Sequence, residues 1–299
     1  MKKNSAILTI FGVAIGLSLV WLCFLKTTSI QASYGESNFQ ANLIRADQFF
    51  YGPDKPVVLV GTSITGRLLP EFFKEQGLEV YNLGLDGCTP CTGLELVLKK
   101  PALPKIVLLE VPGFLRVPTE NDSQILDAIG GFTFKLGRFL PIVRASSRPS
   151  AILYSILKKK NDAHADAGPA APPKSELPPL PVRTIESIHV APPSAVTLNQ
   201  EDPEIKHLLQ TITALTDRKV EVILMRLPAG NQKTRSETDQ PDLADRLSTT
   251  LSLKILDVAS TLHIRGVTLS FSDGLHMRGP SAREAAKVIS EGLKKNQGE

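Results

Sequence analysis

The sequence predicts an α/β protein: a three-layer sandwich with a largely parallel central sheet, preceded by one N-terminal transmembrane helix. Three observations carry that prediction. Short apolar runs alternate with stretches of helical periodicity along most of the chain. Those runs are continuously apolar, as strands are when helices cover both faces of a parallel sheet. Finally, residues 6–25 carry no charge at all.

That first segment reads AILTIFGVAIGLSLVWLCFL. At 1.5 Å rise per residue it reaches about 30 Å, the hydrocarbon thickness of a bilayer. Lys2 and Lys3 precede it, so the positive-inside rule makes residues 1–5 a cytoplasmic tip and the main domain extracytoplasmic, or periplasmic. A cleaved signal peptide is the competing reading, with Ile30-Gln31-Ala32 as its cleavage site. Against it, the run exceeds the usual core of about 7–15 residues, and Trp21 sits near its outer end. Residues 26–55 read as a polar connector.

The α/β domain then occupies residues 56–299. Residues 56–61 (PVVLVG) form the first strand. A helix is expected over 67–76, with Leu68, Leu69, Phe72 and Phe73 at helical spacing and Gly77 as its stop. Residues 80–83 give a second strand and 93–99 a helix. Residues 105–110 form a third strand and 220–226 a fourth, each followed by a proline. Residues 253–258 and 267–269 are weaker strand candidates. The last helix covers 280–294, with Ala282, Ala285, Ala286, Ile289 and Leu293 on one face. Residues 132–157 hold one or two amphipathic helices, read as a cap over the sheet. Residues 158–200 are rich in proline and alanine and read as an exposed insertion. Its opening Lys158-Lys159-Lys160 is a solvated helix end or a contact for anionic lipid or glycan.

Composition excludes several classes. Thirty-four basic residues against 30 acidic give +4, with no basic patch and no reading motif, so no nucleic-acid partner is expected. Three cysteines exclude a disulfide scaffold and a multi-cysteine zinc array. No histidine has metal-ligand spacing, so neither metal nor cofactor is expected.

In parallel sheets, chemistry gathers beyond the carboxyl ends of the strands. The first such loop is Gly61-Thr62-Ser63-Ile64-Thr65-Gly66. It presents the Ser63 hydroxyl at a strand-to-helix turn, where free N–H groups favour an oxyanion. Serine and threonine are also ordinary helix caps at such turns. Just before the last helix stands Asp273-Gly274-Leu275-His276. An aspartate three residues before a histidine can accept from one imidazole nitrogen and leave the other to take a proton from serine. The plainer reading makes Asp273 a turn residue and His276 a cap.

Together the two segments resemble the SGNH, or GDSL-like, hydrolase superfamily. Gly61-Thr62-Ser63 stands where that family has G-D-S, and Asp273-Gly274-Leu275-His276 matches its D-x-x-H. Tyr81-Asn82-Leu83-Gly84 looks like the second block, whose glycine N–H helps to form the oxyanion hole. The resemblance implies a catalytic set of Ser63, Asp273 and His276, with the N–H groups of Ser63 and Gly84 as the oxyanion hole. The third block departs from the pattern. Where a typical member has G-x-N, this chain reads Glu110-Val111-Pro112-Gly113-Phe114. Losing such a donor removes about 2.7–4 kcal/mol of transition-state stabilisation. Thr62, Thr65, Asn82, Thr89 and Arg226 are the nearby candidates to replace it.

Three further residues have open readings. Cys88 and Cys91 are a structural disulfide, free thiols or a redox pair, the disulfide being favoured outside the cytoplasm. Arg226 either binds an anionic substrate group or is an ordinary strand-end arginine. The expected function is a serine esterase or O-acyltransferase acting on acyl esters, acetyl first, of cell-envelope or exported polysaccharide. Its expected partners are the glycan or acyl-ester substrate, the membrane, and a membrane protein that passes acyl groups. The alternative is a non-catalytic glycan-binding or assembly protein of the same fold.

Overall fold

The computed structural model describes residues 2–28, 30, 32–111, 118–165, 189–190, 202–228 and 243–298. In chain order these form α1 (Lys2–Thr28), α2 (Asn38–Tyr51), β1 (Val57–Gly61), α3 (Pro70–Lys74), β2 (Val80–Gly84), α4 (Pro90–Lys99), β3 (Ile106–Glu110), α5 (Glu120–Gly130), α6 (Phe132–Gly137) and α7 (Pro149–Ala165). They continue with β4 (His189–Val190), α8 (Pro203–Asp217), β5 (Glu221–Arg226), α9 (Leu243–Leu251), β6 (Lys254–Asp257), α10 (Val258–Ile264) and α11 (Gly279–Gly298). The chain divides into two units: Met1–Gly52 with Gln124–Ala165, and Pro53–Ser123 with Asp166–Glu299.

The second unit is an α/β sandwich. Its sheet runs in the order β2-β1-β3-β5-β6-β4, with five parallel strands and a two-residue antiparallel β4 at the edge. Alternate side chains of each strand face opposite layers. Val57, Leu59, Leu108, Ile223 and Met225 pack with Phe73, Leu262, Ala285 and Ile289 from α3, α10 and α11. On the other face lie α4 against β1 and β2, α8 against β5, and α9 against β5 and β6. Register sets the working edge. Gly61 pairs with Gly84, Glu110 with Met225, and Arg226 with Asp257, so these strand ends share one rim of the sheet.

Two elements differ from expectation here. The helix expected over 67–76 is split into a 3₁₀ turn, Thr65–Arg67, and α3. Pro70 fits only a helix's first turn, which delays the start to that residue. The strand expected at 267–269 does not form. Val267 and Leu269 instead pack against the core as an irregular segment, since partial burial needs no neighbouring strand.

The first unit is helical, and it corrects the connector expected over 26–55. That stretch contains α2, capped by the Ser37 hydroxyl accepting from the Gln40 N–H at 3.3 Å. Leu43, Ile44, Ala46 and Phe49 are buried along it; polar residues between them masked the periodicity. Helices α6 and α7, expected as a cap on the sheet, belong to this unit. The Pro/Ala-rich stretch lies mostly outside the described residues; within it, α7 runs to Ala165 and β4 adds a short strand. Helix α1 is long and apolar enough from Ala6 to Thr28 to cross a membrane. Its Trp21 stacks on Phe24 with centroids 5.0 Å apart and donates its Nε1–H to Ser147 O at 2.9 Å.

Asp47 gives this unit a pH signature. The carboxylate is buried and accepts from the Ser146 N–H at 3.1 Å. Burial pushes its pKa up to about 6 from 3.8, against the N–H donors of Ser146 and Ala145 and the charges of Arg144 and Arg148. A carboxyl raised on folding holds a proton that the unfolded chain has released, so its effect opposes folding as pH rises through that window. Between pH 4 and 7 the native chain should lose on the order of 3 kcal/mol relative to Asp47→Asn. Denaturant unfolding followed by the fluorescence of Trp21, the sole tryptophan, measures this. Parallel pH profiles for the two chains would show the expectation wrong.

Candidate active site

The Ser63 loop leaves β1 and turns at once. Its anchor is Glu110, the last residue of β3, whose carboxyl group is buried beneath it. Glu110 accepts from the Thr62 N–H at 2.9 Å, the Thr62 hydroxyl at 2.8 Å, the Thr65 N–H at 3.1 Å and the Thr65 hydroxyl at 2.5 Å. Four donors on one buried carboxyl fix the residues on both sides of Ser63. A side chain at Gly61 would lie 2.4 Å from Glu110 Oε2, so the glycine makes room for the carboxyl. By sequence Glu110 is a strand end and the first residue of the altered third block. The signal was present: an acidic residue closing an apolar strand beside a loop rich in threonine.

Asp273 and His276 lie on a loop pinned at its base by the antiparallel bridge between Phe271 and Met277. Met277 is buried in the core, and the Ser272 N–H donates to His276 O at 2.8 Å. Inside the turn, Asp273 Oδ1 accepts from the N–H groups of Leu275 and His276 at 3.0 and 2.8 Å. Asp273 Oδ2 lies 2.5 Å from His276 Nδ1, and His276 Nε2 lies 2.7 Å from Ser63 Oγ. The structure therefore brings Ser63, His276 and Asp273 into one hydrogen-bonded line. Burial pulls the Asp273 carboxyl up, but the His276 and Leu275 N–H groups and the imidazole outweigh it and hold the pKa well below the usual carboxylate range. An ionised Asp273 fixes the Nδ1–H tautomer, which turns the Nε2 lone pair toward the serine hydroxyl.

The second block holds the loop from the other side. Asn82 donates from Nδ2 to the carbonyls of Thr65 and Leu68 at 2.7 and 2.6 Å. Its Oδ1 accepts from the Gly84 N–H at 2.7 Å. This corrects the oxyanion role expected for Gly84, whose N–H is already engaged. Gly84 serves through its lack of a side chain, because a Cβ there would lie 2.3 Å from the Gly66 nitrogen. Gly84→Ala should push the Ser63 loop away from β2 and lengthen the Ser63–His276 contact, which a crystal structure of the variant reads. An unchanged contact would show that the loop yields without consequence.

None of the five candidate replacements for the third-block donor is spare. Thr62 and Thr65 bind Glu110, and Asn82 binds two carbonyls. The Thr89 hydroxyl donates to Asp122 at 3.1 Å. Arg226 is paired with Asp245 at 2.7 Å and Asp257 at 3.3 Å, both buried aspartates, which favours its reading as an ordinary strand-end arginine. Pro112, Gly113 and Phe114 of the third block lie outside the described residues. Cys88 and Cys91 are buried thiols with no disulfide between them, which corrects the favoured pairing. Cys91 faces inward from the first turn of α4, and burial pushes its thiol up to about 12, with Glu204, Asp122 and Glu95 adding to the shift. That suppresses thiolate chemistry.

Asp122 is a second buried carboxyl that sequence reading missed. It accepts from the Thr89 N–H at 2.7 Å, from the Thr92 hydroxyl, and from the Thr119 N–H and hydroxyl at 2.7 and 2.9 Å. The Thr119 hydroxyl lies 3.0 Å from Gly87 O, so the β2–α4 loop is held as the Ser63 loop is. No family model matches the chain, and no curated protein matches it either.

Proposed function

We propose that the chain is a membrane-anchored serine esterase or O-acyltransferase, a divergent SGNH-type protein acting on acyl esters of cell-envelope or exported polysaccharide. The observation that carries this reading is the Ser63–His276–Asp273 line, in which Ser63 meets His276, 213 positions away, at 2.7 Å and His276 meets Asp273 at 2.5 Å. Ser63 Oγ attacks the ester carbonyl carbon while its proton passes to His276 Nε2. Asp273 keeps the imidazole oriented and stabilises the imidazolium. The oxyanion is assigned to the Ser63 N–H at the strand-to-helix turn. Collapse expels the alkoxide, which takes the proton from His276 and leaves an acyl-Ser63. Water then releases the acid, or a sugar hydroxyl takes the acyl group.

The apolar α1 supports an anchored chain with its α/β unit outside the cytoplasm. One observation favours the non-catalytic alternative: the Gly84 N–H and all five side-chain candidates for the oxyanion are engaged elsewhere. Incubating the purified chain with acetylated polysaccharide and with a small acetyl ester decides between the two. The proposal expects acetate release or acetyl transfer that is absent from Ser63→Ala. Saturable glycan binding without turnover would favour the binding protein.

A further inference from the structure

We infer that residues 131–158 of the helical unit form a second membrane contact, lying on an anionic bilayer surface beside the end of α1. The inference rests on the reading that α1 crosses a membrane. Trp21 is four residues short of the end of the uncharged run, about 6 Å along the helix. Its hydrogen bond to Ser147 O therefore draws that segment down to the level of the outermost part of the span. The turn Pro141–Val143 approaches α1 as well. Backbone at that depth meets the boundary between headgroups and acyl chains, where apolar side chains sink by about 5–10 Å.

The side chains there fit such a boundary. Phe132 and Phe139 are 78% and 77% exposed, and Leu140 is exposed beside them. On α7, Leu153, Ile156 and Leu157 follow helical spacing and are all more than half exposed, while Ala151, Ile152 and Ser155 on the opposite side are buried. Large apolar groups left in water on two neighbouring elements need a cover. Charge indicates which cover. Residues 131–158 contain five basic residues (Lys135, Arg138, Arg144, Arg148 and Lys158) and no aspartate or glutamate. Lys135 and Arg138 are exposed next to Phe139. A cationic, apolar surface continuous with a membrane span matches anionic phospholipid rather than a neutral protein face.

The test is photo-crosslinking of the full chain in phosphatidylglycerol-containing vesicles, with benzoylphenylalanine in place of Phe139 or Leu157. Ile15 in the span reports the anchor, and exposed Ile264 of the α/β unit is the reference position. The expected result is a phospholipid adduct at 139 and 157 several-fold above that at 264. Lys135→Gln with Arg138→Gln, or high salt, should reduce it. Adducts at 15 but not at 139 or 157 would overturn the second contact and leave the anchor standing. Absence at all three would overturn both. A protein adduct at 139 or 157, including one to a second copy of this chain, would assign the surface to a protein partner and overturn the inference.

Discussion

Ser63→Ala is expected to lower ester turnover by about 10⁴–10⁶-fold, and His276→Ala by a similar factor. The two losses should not add, because serine and histidine act as one unit: the double variant should be scarcely slower than either single one. Asp273→Asn should cost less, about 10³–10⁴-fold. An amide keeps one oxygen for the N–H groups of Leu275 and His276, but it can present an NH₂ to His276 Nδ1 and turn the ring to the wrong tautomer. Initial rates on a small acetyl ester measure all four variants. Additive losses for Ser63 and His276 would mean that the 2.7 Å contact between them is not used in the reaction.

The second large effect is expected at Glu110. Glu110→Ala strands four donors, two N–H groups and two hydroxyls, in the interior below the Ser63 loop. The loss should be about 3–5 kcal/mol of stability. Glu110→Gln keeps the volume and one accepting oxygen, so it should fold. It turns an amide NH₂ toward donors, however, and loosens the nucleophile. Glu110 acts through Thr62 and Thr65, so its mark should be a fall in kcat of about 10²-fold with KM nearly unchanged. A stable Glu110→Gln with native kcat would reduce Glu110 to a packing role.

These effects fall on residues of unequal legibility. Ser63 and the Asp273–His276 turn were readable because glycine-bordered loops after a strand and before a helix limit what those side chains can do. Their meeting was an expectation from resemblance; only the fold could bring together residues so far apart. Glu110 and Asp122 were harder to read, for a physical reason. A carboxyl group at a strand end or in a helix's first turn looks solvated until the threonines that bury and satisfy it are known. The same holds for Arg226, whose partners Asp245 and Asp257 come from α9 and the end of β6. The parallel sheet was legible from its unbroken apolar runs. The helical unit was not, because its parts lie on both sides of the first three strands in sequence.

The most direct test of a Ser63 nucleophile activated by His276 is reaction with a fluorophosphonate, followed by peptide mapping. The reagent needs only an activated hydroxyl with oxyanion donors, and it reads the site without knowledge of the natural ester. One stoichiometric adduct on Ser63 is expected in the native chain and none in folded His276→Ala. An unlabelled native chain, or an adduct on another serine that persists in Ser63→Ala, would contradict an activated Ser63.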